Sequence, residues 1–552
     1  MRTIYRNARI YTVEPEMPWA EEMIVEGKKI VYVGKTTDET GDKVIDCGGK
    51  MIMPAFIDSH SHPGIISKSI WHVNLPLYDN VEDLLEFVRK YAQEHPKEEV
   101  PFLYFDYYLT ELFDENGPRK ELLDEVVSDR PCLLADFTDH MSWVNSKMLE
   151  LMEVDKNTPD PNELEVYWRD PDGTPTGWVK EWAWLHHVDK MYENMGWYPE
   201  DYRSAPQLKK VYDWMTDYGF AGVFLGFIEG EEEIKGIYDL DKAGQLHHYV
   251  DASYRCDNIK DLPAAIQEAK RLSEKYTTEH LKLNTMKLFL DGTIASGNAS
   301  MVEPLSNDPT HTNCGKAGLD PDELETYFRT CNDAGMDVHI HMVGDGSFRM
   351  ACDAVEKIKN DIGDEWKINV ILAHCCLVHK DDRGRAAELG LWINATPHWN
   401  GGMYGESGLA VLGEKRWREQ SAFMEFVESG AQIAYSTDTS AYFEFDRSDP
   451  FLGIQVGATR VDPQYPLDPE KYPGSVQPEE DQKIPLEELL RGFTIGGAIQ
   501  MHWEDKTGSL KEGKLANFIV LSDNIFDVPL SEIKDMNADI VVFEGKTVKG
   551  EF

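Results

Sequence analysis

Strand-like and helix-like segments alternate through the middle of the chain. Short apolar runs such as FAGVFLGFIEG, HHYVDASYRC, DVHIHMVGD and INVILAHCCLV are separated by helix-like stretches such as EEEIKGIYDLDKAGQ, LPAAIQEAKRLSEKY and GSFRMACDAVEKIKN. That rhythm predicts βα units and a parallel sheet. About eight such units that close into a (β/α)₈ barrel require a few hundred residues, and the 552-residue chain has room for them. We therefore predict an α/β fold built on a TIM-like barrel.

The two ends of the chain have a different pattern. Residues up to about 54 form short strand-like runs, IYRNARIYTV, EEMIVEGKKIVYVG and DKVIDCGG, and the C-terminal runs GSLKEGKLANFIVLSDN and ADIVVFEGKTVKG repeat that pattern. We predict that residues 1–54 and 500–552 combine into one small β-sandwich domain and that residues 55–499 form the barrel. Residues of about 81–213, rich in Trp, Asp, Glu and Pro, interrupt the rhythm and predict an insertion that caps the active site.

Composition excludes several classes of partner. The formal net charge is -44, which argues against nucleic acid and against anionic membrane surfaces, since both require a basic footprint. The sequence contains no run of about 18 apolar residues, so we expect no transmembrane helix. The N-terminus MRTIYRNARIYTVEPE lacks the apolar segment of a signal peptide. The eight cysteines form no C-x-x-C pair and indicate free thiols in a reducing compartment. We expect a cytoplasmic protein.

One short stretch, MPAFIDSHSHP, places His60 and His62 directly after an apolar run. Residues two apart on a strand point to the same face, so both imidazoles can reach one point. Neutral imidazole is the commonest protein ligand of zinc and similar ions. Two surface histidines in a loop would give the same pattern, so this pair alone leaves both interpretations open.

Ionisable residues also mark the ends of the other predicted barrel strands, where catalytic groups of such barrels lie. They are Lys287 in TMKLFLDG, His339 and His341 in DVHIH, His374 at the end of VILAH, and Asp438 after IAYST. Taken singly, the lysine could lie at an edge, the histidines in the core, and the aspartate at a helix N-cap. An ionisable residue at so many strand ends is much less expected by chance, which favours a metal site.

Six segments follow one another in the order known from one family. They are MPAFIDSHSHP, DFTDHMSWVNSKMLEL, GTPTGWVKE, KLFLDGTIASGNA, VHIHMVGDGS and GSLKEGKLANFIVLSDN. Together they resemble the amidohydrolase superfamily, in particular its amidohydrolase-3 or YtcJ-like branch, which includes N-substituted formamide deformylases. Ala55 stands where the family has glycine, and Asp438 lies in STDTS, where the family commonly has S-D followed two residues later by proline. The lysine strand also ends in S-G-N-A rather than the frequent S-R-T-A. This ending and the setting of Asp438 leave the substrate open.

The resemblance implies a metal centre. It places metal ligands at His60, His62, His341 and His374, and it matches Lys287 to a lysine that bridges two ions when carboxylated. One or two divalent ions are therefore expected, with zinc favoured and manganese or iron as alternatives. An N6-carboxylysine at Lys287 is chemically reasonable, because burial lowers the lysine pKa from about 10.4 and the neutral amine can take up CO₂. Asp438 matches the catalytic aspartate that moves the proton from water to the leaving nitrogen.

Five further residues are candidates for supporting roles. We expect Asp58 to orient a ligand imidazole, and His339 to contact a ligand or the substrate. His140, Trp143 and Asp291 are candidate contacts to the substrate or to the groups around it. A helix-surface position would explain His140 equally well, and core packing would explain Trp143.

The leading prediction for function is a metal-dependent hydrolase that cleaves a non-peptide C–N bond in an amide or N-substituted formamide. Deamination of a cyclic amidine or aminated ring on the same scaffold is the first alternative. A non-catalytic scaffold protein is the second, although a full set of ligands argues against it. The expected partner is a small amide-type molecule rather than nucleic acid or membrane, and we expect a homodimer.

Overall fold

The computed structural model describes residues 1–114, 116–199, 203–464, 470–477 and 479–552. The chain divides into two compact units. The first contains residues 1–68, 202–289 and 319–552, and the second contains residues 69–201 and 290–318.

The strands, numbered in chain order, are β1 (Arg2–Tyr11), β2 (Trp19–Glu26), β3 (Lys29–Gly34), β4 (Lys43–Asp46), β5 (Met51–Pro54), β6 (Phe56–Ser61), β7 (Val73–Asn74), β8 (Leu103–Tyr108), β9 (Cys132–Asp136), β10 (Met141–Val144), β11 (Val166–Arg169), β12 (Pro175–Lys180), β13 (Phe220–Ile228), β14 (Tyr249–Arg255), β15 (Leu281–Phe289), β16 (Asp337–Met342), β17 (Val370–His374), β18 (Trp392–Ala395), β19 (Gln432–Tyr435), β20 (Phe518–Leu521), β21 (Ala538–Phe543) and β22 (Lys546–Lys549).

The α-helices are α1 (Pro63–Ser69), α2 (Val81–Glu94), α3 (Lys120–Asp124), α4 (Ser146–Leu151), α5 (Val188–Met195), α6 (Ala205–Asp217), α7 (Glu231–Lys242), α8 (Leu262–Tyr276), α9 (Pro321–Ala334), α10 (Asp345–Ile362), α11 (Arg385–Leu389), α12 (Gly402–Arg418), α13 (Phe423–Ser429), α14 (Pro450–Thr459), α15 (Leu486–Arg491) and α16 (Gly497–Gln500). Helices α7 to α11 follow the strands β13 to β17 in turn, and α12 and α13 both follow β18. This order gives the βα rhythm predicted from the sequence.

Eight parallel strands form the barrel of the first unit, in the order β6-β13-β14-β15-β16-β17-β18-β19. Their side chains are almost all buried, as expected for parallel strands that helices cover. The first and last strands meet through hydrogen bonds rather than a paired ladder: the Ser59 hydroxyl donates to the Tyr435 carbonyl at 2.6 Å, and the Asp438 amide donates to the His60 carbonyl at 2.9 Å. The predicted (β/α)₈ barrel is confirmed.

The strands from the two chain termini form one mixed sheet, in the order β22-β21-β20-β5-β1-β2-β3, with β4 paired to β1. Its core includes Ile10, Met23, Ile52, Phe518 and Val542, all at most 1% exposed. The β structure predicted from the two termini is therefore present as one mixed sheet. The chain leaves this sheet after β5 and enters the barrel at β6, with a single residue, Ala55, between the two strands.

The second unit has a sheet of its own, in the order β11-β12-β10-β9-β8-β7, and two apolar core clusters. Its bounds, residues 69–201 and 290–318, overlap the predicted insertion of residues 81–213. The predicted division into domains and the capping of the active site remain predictions. No helix in the described part of the chain is long and apolar enough to cross a membrane. All eight cysteines are free thiols.

Candidate metal centre

Strand β6 brings two of the predicted ligands to the C-terminal end of the barrel. The apolar start of this strand, Phe56 and Ile57, is fully buried and fixes which face each later residue takes. His60 lies in the strand and His62 directly after it, and they are 1% and 7% exposed. Their ring centroids are 5.2 Å apart, so the H-x-H pair converges on one region, as predicted.

Asp438 lies at the centre of the cluster. Its Oδ1 atom is 3.4 Å from Nε2 of His60 and 3.3 Å from Nε2 of His62. Its Oδ2 atom is 3.5 Å from Nδ1 of His374. Burial acts to raise the pKa of Asp438, but the neighbouring His374 and His62, together with Lys287, outweigh that effect and lower the pKa below its usual value. The carboxyl group is therefore ionised at neutral pH.

Two residues of this cluster have a strained backbone. His374, the last residue of β17, has a φ of 74°, and Asp438 has a φ of 50°. Left-handed conformations of residues other than glycine cost roughly 1–3 kcal/mol each and persist where the surrounding structure enforces them, typically at functional sites. His341, near the end of the neighbouring strand β16, joins this cluster, since its ring centroid is 4.5 Å from that of His374.

Lys287 lies in β15 and is fully buried. Burial lowers its pKa to about 7, although Asp438 acts in the opposite direction. Its Nζ atom has no hydrogen-bond partner among the described residues and lies 4.7 Å from the centroid of the Phe289 ring. With a pKa of about 7, roughly half of such lysines are the neutral amine at pH 7, and the neutral amine is the form that can react with CO₂.

The donor atoms fit a divalent cation. Nε2 of His60 and Nζ of Lys287 are buried and make no hydrogen bond within the described chain, an arrangement that costs free energy unless another group satisfies them. His60, His374 and Asp438 each offer a ligand atom within 4.8 Å of the other two. Imidazole and carboxylate donors together suit zinc, manganese and iron.

The hydrogen bonds of Asp58 do not go to an imidazole in the described structure. Its Oδ1 atom accepts from the Thr437 amide at 3.0 Å and from the His60 amide at 3.3 Å, and its Oδ2 atom accepts from the Thr437 hydroxyl at 2.6 Å. Burial raises the pKa of Asp58 to about 7. Through these hydrogen bonds, Asp58 ties the backbone at His60 to Thr437, the residue that precedes Asp438.

His339 contacts a predicted ligand directly. Its Nε2 atom lies 3.0 Å from Nδ1 of His60, and its ring stacks on Phe224 with centroids 4.7 Å apart. This geometry agrees with the predicted supporting role of His339, which remains a prediction.

Three other predicted residues belong to the second unit. His140 hydrogen bonds through Nδ1 to Glu181 at 2.6 Å. Trp143 is fully buried in an apolar core, and its indole donates to the Arg119 carbonyl at 2.9 Å. Asp291 is 1% exposed and accepts a hydrogen bond from the Ser300 amide at 3.0 Å. Their predicted contacts to substrate remain predictions.

Sequence reasoning missed the aromatic side chains around the imidazoles. Trp399 stacks on His374 with centroids 5.1 Å apart. Phe289 stacks on His341 at 4.9 Å, and Phe227 contacts His62 at 5.1 Å. All three aromatic residues lie at or just after the C-terminal end of a barrel strand, the same position that identified the polar residues. Their position at the strand ends could therefore have identified these aromatic residues from the sequence.

The site combines imidazoles, an aspartate and a buried lysine at the C-terminal ends of parallel barrel strands, the end at which the active sites of such barrels lie. A profile of the Amidohydrolase family matches residues 43–549. The chain belongs to this family, and membership implies a hydrolase that uses a divalent metal. The resemblance inferred from the sequence motifs is thereby confirmed.

Named relatives cover most of the chain. The Exoenzymes regulatory protein AepA of Pectobacterium carotovorum subsp. carotovorum is 30% identical over 72% of this chain and 85% of its own length. Putative amidohydrolase YtcJ of Bacillus subtilis (strain 168) is 25% identical over 99% of both chains. The N-substituted formamide deformylase of Arthrobacter pascens is 24% identical over 96% of this chain and 95% of its own.

A solved structure has the same fold. It is an uncharacterized metal-dependent hydrolase from Pyrococcus horikoshii OT3, with a TM-score of 0.69 and 21% sequence identity. The similarity covers 96% of this chain and 99% of that one.

Proposed function

We propose that this protein hydrolyses a non-peptide C–N bond, in an amide or an N-substituted formamide. The observation that carries the proposal is the cluster in which Asp438 lies within 3.5 Å of three imidazoles, those of His60, His62 and His374. The relative named as an N-substituted formamide deformylase supports the choice of bond.

Four histidines, His60, His62, His341 and His374, would hold one or two divalent ions, and Lys287 would contribute a further ligand as an N6-carboxylysine. We favour zinc, because the donors are mainly imidazoles. A divalent ion bound there supplies Lewis-acid activation of water and of the carbonyl that is attacked.

Asp438 performs the proton transfer in this proposal. Its lowered pKa keeps it ionised at neutral pH, so it can accept a proton from the attacking water and deliver that proton to the leaving nitrogen. The hydrogen bonds of Asp58 to Thr437 and to the His60 amide hold the two strand ends on which the carboxylate and the imidazoles lie. His339 supports the ring of His60 from the side opposite to Asp438.

The test combines metal analysis with a substrate screen. Purified full-length protein should contain one to two divalent ions per chain, and removal by a chelator should abolish turnover until metal is restored. N-substituted formamides and simple amides should release formate or another acid together with an amine. Release of ammonia from cyclic amidines or aminated rings alone would establish the deaminase alternative. A folded, metal-loaded protein that turns over neither class would contradict the proposal.

A further inference from the structure

Gly226 of β13 lies against both imidazoles of the H-x-H pair. A Cβ atom at this position would be 2.4 Å from Cε1 of His62 and 2.6 Å from Nε2 of His60. Non-bonded carbon atoms pack about 3.5–4.0 Å apart, so even the methyl group of alanine would collide with the two rings. The φ of Gly226 is not positive, which means that the close approach of the rings, rather than the backbone conformation, requires glycine here.

The nitrogen beside this space is a predicted metal donor. Nε2 of His60 is buried and makes no hydrogen bond within the described chain, and it lies 3.4 Å from Oδ1 of Asp438. A neutral imidazole binds a metal through such a ring nitrogen. A side chain at Gly226 would therefore displace the ring or cover its donor atom.

The pairing of β13 is irregular at the same point. On the side of β14 the register shifts between Leu225 and Ile228, where β13 has one residue more than its partner. On the side of β6 the register shifts between Val223 and Leu225. Such bulges redirect the chain and are frequent next to active sites. The irregular stretch contains Gly226, and it therefore decides how closely this residue approaches the ring of His60.

A serine of the neighbouring strand holds this bulge. Ser253 lies in β14 and is fully buried. Its hydroxyl donates to the Gly226 carbonyl at 2.6 Å and lies 3.1 Å from the Leu225 carbonyl. Because a buried carbonyl without a partner costs free energy, the hydroxyl stabilises the shifted register at these two residues. Ser253 thus fixes where the backbone of Gly226 lies.

Gly222 of the same strand has a different setting. A Cβ atom there would be 3.1 Å and 3.2 Å from two carbon atoms of Ile57. Its neighbour is therefore an apolar side chain rather than an imidazole, and crowding at this position affects packing alone. The two glycines of β13 provide a matched comparison between a packing contact and a contact with the metal centre.

We propose that Gly226 and Ser253 are positioning residues of the metal centre. The absence of a side chain at Gly226 allows the imidazoles of His60 and His62 to converge, and the Ser253 hydroxyl holds the strand so that this space persists. This inference rests on the metal site of the proposed function. It concerns how that site is built, and its test measures metal binding separately from turnover.

The test measures the affinity for zinc by competition with a chelating dye. Gly226→Ala should reduce this affinity at least about 10-fold, the lower limit for disturbing the surroundings of a ligating histidine. Gly222→Ala is the matched control and should stay within about threefold of wild type, although crowding against Ile57 can lower its Tm. In Co²⁺-loaded protein, Gly226→Ala should also change the visible absorption, which depends on ligand geometry, whereas Gly222→Ala should retain the wild-type spectrum.

A second variant tests the bulge without adding volume, and it decides the proposal if Gly226→Ala does not fold. Ser253→Ala removes the hydroxyl, so zinc affinity should fall about 10-fold and the Co²⁺ spectrum should change. Thr494→Val is its control, because it removes a fully buried hydroxyl that likewise donates to a backbone carbonyl, that of Leu490. This control should keep the affinity and the spectrum of wild type.

The outcomes separate the inference from the function on which it rests. Equal zinc affinity in folded Gly226→Ala and Gly222→Ala overturns the role of Gly226, and unchanged affinity and spectrum in Ser253→Ala overturn the role of Ser253. Zinc binding that depends on Gly226, without hydrolysis of amides or formamides by wild type, supports the positioning role and contradicts the proposed reaction. Wild-type protein that binds no divalent ion contradicts both.

Discussion

Nε2 of His339 lies 3.0 Å from Nδ1 of His60, and both imidazoles are almost fully buried. The two rings are nearly perpendicular, at 85°. Because one ring nitrogen of His60 is engaged by His339, the other, Nε2, is directed toward Asp438, 3.4 Å away. Metal-ligating histidines generally depend on such a partner for their tautomer and ring orientation.

The first prediction follows from this contact. His339→Phe fills the space but removes the hydrogen bond to His60, so metal affinity should fall about 10-fold to 100-fold, the usual cost of losing a partner of a ligating histidine. His339→Gln, which can still hydrogen bond, should lose less. Competition with a chelating dye measures the affinity.

His248→Phe is the control, since His248 is also fully buried but lies just before β14, at the opposite end of the barrel. Equal metal affinity in His339→Phe and wild type would rule out the positioning role.

The second prediction concerns Lys287. Lys287→Ala removes the buried amine whose pKa is lowered to about 7, so bound metal and turnover should both be lost. Bicarbonate with a short carboxylic acid should restore part of each, because the acid can occupy the place of the carbamate. Lys270→Ala, an exposed lysine of α8, should behave as wild type. Full metal content in Lys287→Ala, measured by elemental analysis, would show that the lysine is not a ligand.

The third prediction tests whether Asp438 transfers a proton or only caps a helix. Asp438→Asn should keep metal content and Tm near wild type while kcat falls at least ~100-fold, the low end for a lost proton-transfer group. Asparagine is suited to the left-handed backbone at this position, where φ is 50°.

Asp449→Ala provides the contrast for Asp438. Asp449 caps α14 by accepting from the Phe451 amide at 2.9 Å. Its loss should cost about 0.5–2 kcal/mol of stability, with little change in kcat. Turnover of Asp438→Asn close to wild type would mean that Asp438 is structural and that the general base is another residue, with His339 the next candidate.

A buried ionic group outside the metal centre links the terminal sheet to the barrel. His280 hydrogen bonds through Nδ1 to Asp241 at 2.7 Å and through Nε2 to Glu544 at 3.2 Å. Glu544 also accepts from the Tyr249 hydroxyl at 2.9 Å and pairs with Lys28 at 2.7 Å. Burial alone would lower the pKa of His280, but the two carboxylates outweigh it and raise the pKa to about 9.

The fourth prediction is the pH dependence of stability that results. A histidine whose folded pKa exceeds its unfolded value of about 6.5 stabilises the fold fully below pH 6.5, and this contribution is lost as pH rises through about 9. The Tm of wild type should therefore exceed that of His280→Gln at pH 6, and the gap should close by about pH 10. His311→Gln, at an exposed histidine, should show no such trend. A gap between wild type and His280→Gln that is constant with pH would contradict the assignment.

Local pattern was sufficient to predict much of the fold and the site. The βα rhythm reflects the side-chain periods of strands and helices, which depend on neighbouring residues alone, and it predicted the barrel strands that carry Lys287, His341 and His374. The H-x-H pair was predicted to converge for the same reason, since residues two apart share a face of a strand. The family motifs added the roles of these residues, and membership in the family is confirmed.

Tertiary structure alone decided which distant residues support those side chains. Asp58 binds Thr437, which is 379 positions away in the chain, and His339 contacts His60, 279 positions away. Neither contact follows from a local period, because it depends on how the barrel closes between its first and last strands. The aromatic rings around the imidazoles and the inclusion of residues 290–318 in the second unit likewise depend on three-dimensional packing. The sequence by itself therefore determined the strands and helices and the ionisable residues at the strand ends. Closure of the barrel determined which residues contact those side chains, because a contact between strands far apart in the chain produces no periodic pattern in the sequence.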